Sequence, residues 1–253
     1  MDVLEIVGLI AAALVAGAIN AVAGGGSLVS FPALLAAGYD AKVANVTNTV
    51  AIWPGTLGGS YAYREEIGRQ RRRVAFLLVP AIGGGLAGSA LLLATSSDTF
   101  DAIVPFLIMI GVVLILFQDR IGKLATGRHF TAQSDDHIPV SLFVAVFLGS
   151  VYGGYFGAGL GIILLGALAI AMPDDMHNSN ALKNILASAA NGIAVLYFVL
   201  FGPVRWGPAA VMAGAALCGG WFGAGFARKI GAVWLRRVVV VYGTGAAVVL
   251  FLT

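Results

Sequence analysis

Asn20, Ser27, Asn45, Thr47, Asn48, Thr49, Thr56 and Ser60 in the first half of the chain interrupt sequence that is otherwise apolar. Ser179, Asn180, Lys183, Asn184, Ser188 and Asn191 do the same in the second half. At helical spacing Asn45, Asn48 and Thr49 share a face, as do Asn180, Lys183 and Asn184, and Ser188 and Asn191 prolong the second stripe. Such side chains inside apolar segments are costly unless they meet partners or a substrate. One reading is glue between helices, at roughly 0.6–2 kcal/mol per bond. The other is a substrate path, and the two Asn-rich stripes at equivalent places favour it.

The chemistry of that path is readable from its donors. It holds amides, hydroxyls and one ammonium, and no Asp or Glu falls inside a segment core. That set suits an anion better than a metal ion or an organic cation. Lys183 is its only basic residue, and it either snorkels to an interface or contacts the anion. Two glycine clusters, Gly24-Gly25-Gly26-Ser27 and Gly157-Ala158-Gly159, each precede a short apolar segment. A helix starting there would offer backbone N–H groups and the positive end of its dipole to an anion. The glycines could equally serve close packing. As nucleotide loops they fail, because no strand–helix–strand unit flanks them. Gly25, Gly26, Ser27, Asn45, Asn48, Thr49, Gly157, Gly159, Asn180, Lys183, Asn184 and Asn191 are therefore the candidate substrate-binding residues.

The elements that must position them follow from composition. The chain has 253 residues, of which 59% are hydrophobic and 11% charged, with 35 glycines. Soluble domains carry about 25% charge, so a water-facing enzyme, a disordered region and a basic nucleic-acid binder are excluded. One cysteine, Cys218, excludes a disulfide framework and a CxxC metal site. Apolar runs of about 18–22 residues match a ~30 Å hydrocarbon core. The fold class expected is an all-α polytopic membrane protein. Its segments are read at 4–23, 27–38, 44–63, 74–95, 100–117, 140–157, 160–172, 179–201, 208–227 and 233–252. Segments 27–38 and 160–172 are too short for straight spans and are expected to be broken or re-entrant. Pro32 and Pro54 are expected to break helices near the same layer. Ala21-Val22-Ala23 has the form of a cleavage motif, but no basic stretch precedes it, so the first run reads as a membrane helix.

The halves superpose on one another. Gly26 falls on Gly159 at an offset of 133, and beyond Met172 the offset is 135. Asn45 then meets Asn180, Thr49 meets Asn184, Thr56 meets Asn191, and the GxxxG pair Gly84/Gly88 meets Gly219/Gly223. Thirteen of the 27 charges lie in 64–73 and 119–136. If every segment crosses, these stretches and Arg228, Lys229, Arg236 and Arg237 fall on one side, the cytoplasmic one. Lys42 and Arg205 alone fall outside. Five segments per half then invert the second half, with both termini periplasmic. The organisation expected is a first repeat at 1–117, a cytoplasmic linker at 118–139 and a second repeat at 140–253. Inverted repeats with broken helices are a recurring plan of secondary transporters.

The runs INAVAGGGSLVSFPALLAAG (19–38), VANVTNTVAIWPG (43–55), GGYFGAGLGIILL (153–165), NALKNILASAANGIAVLYF (180–198) and GPVRW (202–206) resemble the sulfite exporter TauE/SafE family of bacterial and archaeal inner-membrane proteins. The likeness covers essentially the whole chain. It implies export of a small anion such as sulfite, an organosulfonate or a carboxylate. Ala158 and Leu160 interrupt the second glycine run, and Leu165 stands where that family often has proline.

The alternatives are an anion channel and an intramembrane enzyme. An enzyme would need a nucleophile with a base or a metal cluster, and His129, His137 and His177 lie in expected loops, the first two near Asp135 and Asp136. No cofactor is implied. The partners expected are the lipid bilayer and a small anionic substrate, with no nucleic acid. A coupling ion, proton or sodium, is left open, and the GxxxG pairs could pack within one protomer or between two of a homodimer.

Overall fold

Apolar runs whose backbone must satisfy itself without water fold as helices, and the described residues of this computed structural model contain no strand. The structure describes residues 2–22, 25–126, 138–172, 176–230 and 232–252. The helices are α1 (Val3–Val22), α2 (Ser27–Ala36), α3 (Ala41–Ala62), α4 (Arg64–Arg69), α5 (Arg71–Ala94) and α6 (Ser97–Thr126), then α7 (Val140–Tyr155), α8 (Leu160–Ala171), α9 (Met176–Phe201), α10 (Trp206–Ile230) and α11 (Ala232–Leu252). Each expected segment corresponds to one long or short apolar helix. The charged stretch 64–73 adds the six-residue α4, and α6 continues past 117 into the expected linker, as far as Thr126.

Among the described residues four helices, within Val3–Asn20, Arg71–Ala94, Ser97–Gln118 and His177–Phe201, are long and apolar enough to cross a membrane. With 10 and 12 residues, α2 and α8 reach only ~15–18 Å against a ~30 Å core. Each folds back along the helix before it. Gly153 of α7 lies against Leu160 and Gly149 against Ile163. In the first half, Tyr39 beyond α2 donates its hydroxyl to Glu5 Oε1 near the start of α1, at 2.8 Å. The breaks depend on left-handed backbone at Gly25, Gly157 and Gly159 (φ +95°, +83° and +86°), which favours glycine. Pro32 and Pro54 do not break their helices. They lie inside α2 and α3, which run on past them, as neighbouring helices in a membrane allow.

The most extensive packing crosses between the halves, α1 on α10 and α5 on α7. Gly84 lies against the Phe147 carbonyl and Gly88 against that of Val151, so α5 and α7 run parallel with backbones touching. Gly17 and Gly219 bring α1 and α10 together in the same way, against the carbonyls of Ala216 and Leu14. Gly84, Gly88 and Gly219 therefore pack within one chain. At one end Lys42 Nζ donates to the carbonyls of Leu93 (2.9 Å) and Thr95 (2.6 Å), closing the C-terminus of α5. At the other end Gln70 Nε2 donates to the Asn178 carbonyl at 3.3 Å. Between them Phe31 of α2 meets Phe156 edge-on at 5.4 Å, locking one break against the other.

Candidate functional site

A cavity of about 80 Å³ opens where the two breaks face the middles of α3 and α9. The first break contributes Asn20, Gly25 and Ser27, and the second Gly157, Leu160 and Gly161. From α3 come Thr49, Ile52, Trp53, Gly55 and Thr56, and from α9 Lys183, Asn184, Ala187 and Asn191. These α3 and α9 positions recur at three- and four-residue intervals, which is why one helix face supplies each set. Lys183 is the one charged residue in the lining.

The N-terminal ends of α2 and α8 both border this space. Asn20 Oδ1 accepts the Gly26 N–H at 2.8 Å and so caps the entry to α2. Tyr152 donates its hydroxyl to the Ala158 carbonyl at 2.8 Å and steadies the second break. Lys183 lies two turns into α9 because that helix starts at Met176, earlier than the sequence suggests. Its stem passes over Gly161, where an added Cβ would stand 3.7 Å from Lys183 Cδ. The lysine thus borders the cavity rather than lipid.

Several hydroxyl and N–H protons in the stripe are engaged elsewhere. Thr49 donates to the Asn45 carbonyl at 2.9 Å and Thr56 to the Trp53 carbonyl at 2.7 Å. Trp53 Nε1 donates to the Ser188 carbonyl at 2.9 Å, and Ser60 Oγ to that of Asn184 at 3.3 Å. The donors left for a bound group are the Lys183 ammonium, the amides of Asn20, Asn184 and Asn191, the Ser27 hydroxyl, and the backbone N–H groups of Ser27 and Gly161; the N–H groups of Leu28, Val29, Leu160 and Ile162 bond to carbonyls of the breaks themselves. Ammonium, amides and two helix N-termini converging on one mid-depth space form an anion-attracting set.

Of the sequence candidates, Gly25, Ser27, Thr49, Gly157, Lys183, Asn184 and Asn191 line the cavity; Gly26, Asn45, Asn48, Gly159 and Asn180 do not. Gly26 is packed against the Ala16 carbonyl of α1, and Gly159 faces Leu114 of α6. Asn45 and Asn48 are buried, at 1% exposure each, and Asn180 is half-buried a turn before Lys183. Ile52, Trp53, Gly55, Leu160, Gly161 and Ala187 are lining residues that polarity could not reveal. For Trp53 a signal existed, since a buried indole N–H needs a partner. Among the described residues no three of His, Cys, Asp and Glu come together as a metal site. His129, His137, Asp135 and Asp136 lie outside the described residues.

Comparison with known proteins bears on the chain as a whole. The sequence model of the family described as "Sulfite exporter TauE/SafE" matches residues 9–250. A "Probable membrane transporter protein" of Haemophilus influenzae is 28% identical over 95% of this chain and 91% of its own length. "Probable membrane transporter protein YfcA" of Escherichia coli K12 is 25% identical over 90% and 83% respectively. A third, "Probable membrane transporter protein ORF9" of a Sinorhizobium species, is 27% identical over 95% and 90%. No solved structure matches the chain significantly.

Proposed function

The chain belongs to the sulfite exporter TauE/SafE family, which makes it a membrane transporter and not an enzyme, and we propose that it carries a small oxyanion such as sulfite or an organosulfonate by alternating access. The observation that carries this reading is Lys183, a lone fixed cation in a cavity bordered by two helix N-termini. Cavity size supports a small cargo. About 80 Å³, against a share of ~30 Å³ per molecule in liquid water, suits a group of only a few heavy atoms.

Inverted repeats supply the moving parts in this reading. The contacts obey the sequence offsets: Gly84 against Phe147 is repeated by Gly219 against Leu14, and Gly85 beside Ala190 by Gly220 beside Gly55. Trp53 bonds to Ser188, its counterpart at the sequence offset of 135, which supports a pseudo-two-fold axis between α3 and α9, beside the cavity. Rocking one half against the other about that axis would expose the cavity to each side in turn. The arginines of 64–73 orient this arrangement with the α4 end in the cytoplasm of a bacterial inner membrane and both termini periplasmic.

Purified protein in liposomes should take up labelled sulfite or sulfoacetate saturably and show counterflow, and Lys183→Ala should lower uptake at least ~100-fold, on the order of a lost charge-assisted contact. Uptake without saturation or counterflow would point to a channel. Wild-type uptake by a folded Lys183→Ala protein would remove the lysine from the mechanism.

A further inference from the structure

We propose that the first half holds a second site, for a monovalent alkali cation, beside Asn45 and Asn48 of α3, where Asn45 meets the C-terminal end of α7. Asn45 Nδ2 donates to the Tyr155 carbonyl at 2.9 Å. That bond fixes the amide and leaves Oδ1 as its unengaged end, buried with no donor. Asn48 is one turn further on the same face, equally buried, and its Oδ1 also has no donor. Two amide oxygens enclosed without a proton to accept call for a positive partner.

The surroundings favour the same sign. Helix α7 ends at Tyr155, so its last carbonyls bring the negative end of a helix dipole to Asn45. Half-helix C-termini and neutral oxygens are how a membrane protein coordinates sodium. Neither α3 nor α7 contains an Asp or Glu, which disfavours a divalent ion, whose sites use carboxylates. Lys42, the basic residue of α3, is already bound to the carbonyls of Leu93 and Thr95.

The pseudo-symmetry gives an independent reason. At the offset of 135, Asn48 occupies the place of Lys183. The second half therefore carries a tethered ammonium where the first half presents uncharged amide oxygens. A dissociable cation beside Asn48 restores the missing charge. Thr49, the next residue, borders the anion cavity and bonds to the Asn45 carbonyl, so one helical turn joins the two sites. Mutual strengthening of cation and anion binding rests on the proposed anion site; the cation site itself does not.

The test separates them. Thermal unfolding of the purified protein, without substrate, is followed in choline, lithium, sodium and potassium chlorides at equal ionic strength. An alkali cation, sodium first, should raise the midpoint saturably by at least ~3 °C at about 200 mM. Asn48→Lys should be stable in choline and indifferent to sodium. Asn48→Leu, which removes the oxygen without adding charge, should also lose the response. A wild-type midpoint equal in all four salts, or an undiminished sodium shift in either folded variant, overturns the proposal. An ordered water in place of the cation would give the first of these results. If the sodium shift is present but no sulfite or sulfonate moves in liposomes, the cation site stands and the anion reading fails.

Discussion

Lys183 is a cation whose cavity contains no carboxylate among its lining residues, which leaves a substrate oxygen as its natural counter-charge. Its legibility in the sequence came from contrast, because one charge in a polar stripe of an apolar chain stands out. Ile52, Leu160 and Ala187 border the same cavity and were invisible for the opposite reason: an apolar side chain beside a substrate is spelled like one beside lipid or core. A different pair of residues fixes the opposite end of α1. Burial, and then its bond to Glu5, raise the Tyr39 hydroxyl above the ordinary value of 10.0. The folded protein thus holds that proton more tightly than the unfolded chain. The resulting stability is fully present below pH ~10 and is lost as pH rises above it. Tyr39→Phe should lower the melting midpoint at neutral pH and remove this alkaline decline, which a midpoint-against-pH series will read.

At the scale of the element, polarity and glycine spacing act as separate codes. Thr49, Asn184 and Asn191 of the polar stripes line the cavity, because the period of a helix leaves little choice of face. The same stripe put Asn45 and Asn48 at the cavity, yet both are buried outside its lining, Asn45 because the broken α7–α8 turn brings the Tyr155 carbonyl to its amide. No period along α3 encodes a neighbour's break. Glycines divide likewise. Gly157 serves the cavity edge, while Gly88 permits α5 to touch α7 at the Val151 carbonyl. Gly88→Leu should force those helices apart, at a cost of about 1–3 kcal/mol or more, seen as a lower unfolding midpoint in detergent. Transport by the surviving folded fraction should keep its KM, because α5 contributes nothing to the cavity.

The whole molecule is two halves that are each incomplete. Hydropathy located most of their helices to within a few residues, with α6 running nine residues past its expected end. What it did not contain is that α1 closes on α10 and α5 on α7, contacts between residues far apart in the chain. Residues 1–137 or 138–253 expressed alone should therefore fail to accumulate, and co-expression should restore both bands and sulfite uptake. Accumulation of a stable single half, measured by membrane fractionation and quantitative blotting, would contradict this account.

The cross-packing of α1 and α10 also sets a schedule. Synthesis reaches Trp206, where α10 begins, 184 residues after it leaves Val22 at the end of α1. At ~5–20 residues per second that is a delay of roughly 10–40 s. Throughout it the Gly17 face of α1 lacks its cover, and for the greater part of it Asn45 waits for a carbonyl at position 155 not yet made. The newborn first half therefore spends that interval with those faces unpaired. Slow codons between the halves should prolong that exposure and increase degradation by membrane proteases, with no change in the finished protein.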